Sequence, residues 1–140
     1  MQSVVLAGKT LIVSPHLDDA VLSCGFFLSG PVDATVLSVF AGMPSDPQLS
    51  TAYDRQCGFS SAGQAMKTRW REDDQALAML GVQTLRLSVL DSQYAPLPET
   101  GELAALLAPI LTDPHWDTVI VPMGLFHCDH ECVTDARAWT

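Results

Sequence analysis

Residues 10–19 read Thr10-Leu-Ile-Val-Ser-Pro-His-Leu-Asp-Asp19, and this stretch decides the fold. Residues 10–14 are a short apolar run rich in β-branched side chains, which predicts a buried strand. From Asp18 to Ser29 the apolar residues Val21, Cys24, Phe27 and Leu28 recur at helical spacing, and Gly30-Pro31 ends the pattern. Asp18 and Asp19 fall in the first turn, where the helix dipole favours carboxylates. A strand therefore runs through a tight turn into a helix.

The same alternation continues outward. Residues 34–40 (ATVLSVF) predict a second buried strand, and 3–7 a short leading one. Residues 41–62 hold Gly, Pro, Ser and Asp with little periodicity; a loop of that length is expected to be functional, and it is the candidate lid. Residues 64–80 predict a helix with Met66, Trp70, Leu77 and Leu80 on one side and Gly81 as its C-terminal cap. Residues 84–90 (TLRLSVL) predict a third strand. Residues 99–112 predict a Leu/Ala-rich helix bent or interrupted at Pro109. Residues 117–122 (DTVIVP) predict a fourth strand, and Asp129 to Trp139 a last helix. Strands alternating with helices imply βαβ units and an α/β, Rossmann-like, doubly wound, mainly parallel sheet, here with strand order 3-2-1-4.

The 140 residues carry 48% hydrophobic and 16% charged side chains, a composition suited to one globular domain over 1–140. The formal charge of -9 repels nucleic-acid phosphates and anionic lipid, so neither is an expected partner. No segment approaches the roughly 18 apolar residues of a membrane span. The first lysine follows a short apolar run, the wrong order for a signal peptide, and a cytoplasmic protein is expected. Cys24, Cys57, Cys128 and Cys132 lack a disulfide-scaffold spacing and are expected as free thiols. The chain stops inside the last predicted helix without a cap, which reads as the N-terminal part of a longer, truncated domain. Strand four would then be an apolar edge, and self-association into a homo-oligomer is expected.

Two segments concentrate chemistry: Ser14-Pro-His-Leu-Asp-Asp19 after strand one, and Gly124-Leu-Phe-His-Cys-Asp-His130 after strand four. Either alone has an ordinary explanation, a helix cap for the first and an exposed turn for the second. In the order 3-2-1-4, however, strands one and four are neighbours, and their carboxyl ends flank the crevice where open parallel sheets bind ligands. Imidazoles and carboxylates meeting there suit a metal such as zinc, with a coordination position left open. His115, before strand four and at the opposite end, reads as structural. A Cys/His zinc site through Cys128 and Cys132 would lack a second cysteine pair.

PHLDD followed by HCDH, each after a strand, resembles the LmbE-like (PIG-L) family of zinc-dependent N-acetylglucosaminyl de-N-acetylases. The resemblance runs over residues 10–140 and includes Arg69-x-x-Glu72 and Leu80-Gly81-Val82. It implies His16, Asp19 and His130 as metal ligands for one Zn2+, or another divalent ion, per chain. It implies Asp18 as general base, His127 as stabiliser of the oxyanion and Asp129 as the group orienting His127. Arg69 or Arg71 would reach a substrate hydroxyl or phosphate; the plainer reading is a surface arginine of an amphipathic helix. The implied activity is hydrolysis of the acetamide of an N-acetylated sugar conjugate with release of acetate. Leu17 and Ala20 stand where the family commonly has Pro and Glu. Two other readings use the same residues: a metal-dependent phosphoesterase, a class that often holds two metals, and a non-catalytic, truncated module binding metal or sugar.

Overall fold

The structure, a computed structural model, describes residues 8–137; the leading strand expected at 3–7 and the end of the last helix lie outside them. The elements are β1 (Lys9–Ser14), α1 (Asp19–Leu28), β2 (Asp33–Ser38), α2 (Ala52–Gln56), α3 (Ala62–Met79), β3 (Gln83–Arg86), α4 (Thr100–Leu111), β4 (Thr118–Ile120) and α5 (Cys128–Arg137). The four strands form one parallel sheet in the order β3-β2-β1-β4. This is the doubly wound arrangement the sequence predicts.

Period-2 alternation along β1 explains the layering. Leu11 and Val13 point to one face, where they pack with Leu37, Val39 and Phe40 against Leu103 and Leu107 of α4 and Val133 of α5. Ile12 points to the other face, against Ala20 and Leu28 of α1 and Leu77 of α3. Both faces are covered, which is why β1 and β2 read as continuous apolar runs. On α1 the predicted stripe packs inward, while Leu22 and Phe26 are exposed. No helix among the described residues is long and apolar enough to cross a membrane.

Three boundaries differ from expectation. The third strand stops at Arg86; beyond it Leu87 and Val89 still pack on the core, so the apolar alternation outlasts the ladder. α4 runs through Pro109 without interruption. Pro109 cannot donate to the Ala105 carbonyl, so one helical bond is lost, but only Ile110 and Leu111 follow it in the helix. The stretch 41–62 is pinned at several points. Gly42 N–H donates to Val89 O at 2.9 Å and Ala62 N–H to Leu49 O at 2.7 Å. α2 within it is capped by the Thr51 hydroxyl, which accepts from Asp54 N–H. Asp54 is fully buried, with one carboxylate oxygen 2.8 Å from Arg69 Nη2 and the other accepting from the Tyr94 hydroxyl at 2.7 Å. These bonds fix 41–62 as a wall of the cleft described below.

Leu11 is fully buried in the centre of the sheet. Leu11→Ala is expected to destabilise the fold by about 2–5 kcal/mol, read from the midpoint of urea denaturation with an unchanged slope.

Candidate metal centre

β1 and β4 pair directly, Ile12 opposite Ile120, so the turns that follow them share one end of the sheet. Ser14 shapes the first turn. Its hydroxyl, almost completely buried, donates to the His16 carbonyl at 2.6 Å and accepts from Ala20 N–H at 3.0 Å. It thus fills the capping role expected of Asp18: Asp18 occupies the N-cap position of α1, yet its side chain makes no capping hydrogen bond. The Asp18 carboxylate is exposed and lines the cleft instead. Leu17 is buried between Ala41 and Met66, and Ala20 lies in the α1–α3 core, so neither offers a polar group to the site.

The second turn is bent sharply. Gly124 has φ 72°, where a Cβ would run into the Thr134 side chain, and Phe126 has φ 64°. A left-handed non-glycine residue is uncommon and costs on the order of 1–3 kcal/mol. The bend brings His127 to the cleft mouth and starts α5, so that His130 in its first turn faces back toward β1.

Three donor atoms converge there. His130 Nε2 lies 3.0 Å from Asp19 Oδ2, His16 Nδ1 lies 3.3 Å from the same oxygen, and the two nitrogens are 3.2 Å apart. A tetrahedral ion with ligands at about 2.0–2.1 Å has ligand–ligand edges of about 3.3 Å. The three atoms therefore have the spacing of one face of such a tetrahedron, and the donor set of two imidazoles and a carboxylate suits zinc. A second group, His16, His127 and Asp129, also lies within metal-holding distance, but it shares His16 with the first.

The local charge agrees. Burial disfavours the His16 imidazolium, but hydrogen bonds to Asp129 and Asp19 and the field of Asp91 outweigh it and raise the pKa to about 10. Asp19 is opposed by burial too, yet contacts with His16 and the field of His130 hold its carboxyl below the ordinary range. Three carboxylates thus bear on one imidazole, an arrangement that attracts a cation.

His127 is half-exposed, and its Nδ1 accepts from the Asp129 amide at 3.2 Å. Asp129 is fully buried, with Oδ2 2.9 Å from His16 Nε2 and Oδ1 3.8 Å from His127 Nδ1. Arg69 lines the cleft, held by Asp54 and Tyr94 and stacked near the rings of Tyr53 and Phe59. Arg71 is exposed on α3 outside the cleft lining. His115 sits at the far end of the sheet, 2.6 Å from Lys9 Nζ. The four cysteines are free thiols.

The cleft above the triad has a volume of about 960 Å³. Sequence reasoning missed Asp91 and Ser92 on its wall and Ser14 beneath it. The signal was present for the first two: they follow the apolar stretch of the third strand, at the carboxyl end that binds ligands in such sheets.

A sequence profile of the GlcNAc-PI de-N-acetylases (PIG-L) matches residues 11–138, and the chain belongs to this family. No curated protein matches it. Among solved structures it is similar to a deacetylase–teicoplanin complex from the teicoplanin biosynthesis pathway, at TM-score 0.81 and 27% identity over 94% of this chain and 64% of that one. It is also similar to the A40926 pseudoaglycone deacetylase Dbv21, at TM-score 0.80 and 30% identity over 92% and 57%. A third similar structure is the zinc-inhibited form of teicoplanin deacetylase Orf2, at TM-score 0.77 and 27% identity over 94% and 62%. The chain spans between 57% and 64% of the length of these three deacetylases.

Ser14→Ala leaves a buried amide and a carbonyl without their partner. It is expected to cost about 1–3 kcal/mol in denaturant unfolding and to weaken zinc binding measured by chelator competition.

Proposed function

We propose that this site performs metal-dependent hydrolysis of the acetamide of an N-acetylglucosamine-type conjugate, releasing acetate. The observation that carries the proposal is the triangle of His16 Nδ1, Asp19 Oδ2 and His130 Nε2 at tetrahedral spacing, open to a cleft. Membership of a de-N-acetylase family supports it, as does the likeness to deacetylases of glycopeptide biosynthesis.

One zinc ion, or another divalent ion, held by those three side chains would polarise the amide carbonyl and lower the pKa of water toward about 7. Asp18, uncommitted as a cap and exposed to the cleft, accepts a proton from the attacking water. His127 has its Nδ1 occupied by the Asp129 amide, which fixes the ring and leaves Nε2 to donate to the carbonyl oxygen as it becomes anionic. One such donor contributes about 3–4 kcal/mol to transition-state stabilisation. As the C–N bond breaks, Asp18 returns that proton to the leaving nitrogen, giving the free amine and acetate. Tyr53 and Phe59 offer apolar surface along the cleft for a sugar ring or its aglycone.

The phosphoesterase reading draws less support. The second donor group shares His16 with the first, which argues against two ions bound independently. Asp18, Asp19, Glu72 and Asp91 line the cleft, while Asp73 is paired with Arg86 and the one lining arginine, Arg69, with Asp54. That balance repels a phosphate and accommodates a neutral sugar.

Asp18→Asn is expected to retain stoichiometric zinc while lowering acetate release from N-acetylglucosamine conjugates by about 10²–10⁴-fold. Loss of the metal in that variant would mean that the roles of Asp18 and Asp19 are exchanged.

A further inference from the structure

Asp129 is buried far more completely than its sequence neighbour His127, and its contacts point elsewhere. Oδ2 lies 2.9 Å from His16 Nε2 and accepts from Ser92 N–H at 3.3 Å. Oδ1 accepts from the Cys128 thiol at 3.3 Å and is 3.8 Å from His127 Nδ1. That Nδ1 already accepts the Asp129 amide proton, so it presents no proton of its own to the carboxylate. A carboxylate orients an imidazole by accepting its N–H, and of the two rings only His16 has a nitrogen within 3 Å.

We propose that Asp129 is a positioning residue for the metal ligand His16 and does not serve His127. By accepting the proton of Nε2 it fixes the tautomer whose lone pair is on Nδ1, the nitrogen that faces Asp19 and His130. Carboxylates that hold a ligand histidine in this way commonly raise metal affinity 10–100-fold. The assignment also gives Ser92 a function. Its amide, in the segment that follows β3, fixes the carboxylate, so that segment supports the metal centre without touching the ion. The inference builds on the reading of the triad as a metal site and assigns the group that sets its affinity.

The test is zinc affinity, measured by competition with a chromophoric chelator, for the wild type, Asp129→Asn and His127→Ala. Asp129→Asn is expected to bind zinc about 10–100-fold more weakly with an unchanged far-ultraviolet spectrum, and His127→Ala to stay within about twofold of the wild type. Nitrogen-15 spectra of the zinc-loaded wild type, which need no variant to fold, are expected to show His16 coordinated through Nδ1 with its proton on Nε2. Equal affinity of Asp129→Asn and the wild type, or His16 coordinated through Nε2, overturns the assignment alone. Absence of zinc binding by the wild type overturns the metal reading together with it.

Discussion

Three side-chain atoms from two turns must sit within about 3.3 Å of one another, the edge length of a tetrahedral zinc site. His16 and His130 are 114 residues apart in sequence, and only the parallel pairing of β1 with β4 brings their backbones to the same end of the sheet. The sheet sets the approach to within a few ångströms. The turns do the rest, through the buried Ser14 hydroxyl on one side and the left-handed backbone at Gly124 and Phe126 on the other.

Around this centre the chain places groups that hold still. The wall formed by 41–62 is fixed to α3 and to the segment after β3 by the Asp54–Arg69–Tyr94 network, whose carboxylate has both oxygens satisfied. A buried pair of that kind contributes little net stability, because desolvation offsets attraction, but it fixes geometry. It also removes the positive charge of Arg69 from the cleft. What remains at the floor is a surplus of carboxylate, which favours a cation at the triad and disfavours a phosphate group.

Much of this was legible in the sequence because hydrophobic periodicity encodes the faces of strands and helices directly. The four strands follow from apolar runs, their order from the doubly wound topology of alternating strands and helices, and the meeting of the PHLDD and HCDH turns from that order. Other features depend on contacts distant in sequence. The resemblance assigns Asp129 to His127, whereas its shortest side-chain contact, to His16, lies 113 residues away in the chain. Ser14 looked like the end of an apolar strand, and nothing local reveals that its hydroxyl replaces Asp18 as the cap. Periodicity predicts a third strand longer than the ladder because Leu87 and Val89 keep the apolar alternation past Arg86. The order within 41–62 was hidden because five helical residues carry too little periodicity to see, and a buried aspartate is what holds them.

X-ray absorption at the zinc edge of the metal-loaded chain tests the central claim most directly. Nitrogen and oxygen neighbours at about 2.0–2.1 Å, with the multiple scattering of two imidazoles, are the predicted result. A sulfur neighbour at about 2.3 Å, which would place the ion on Cys128 or Cys132, or a shell without two histidines, would contradict it.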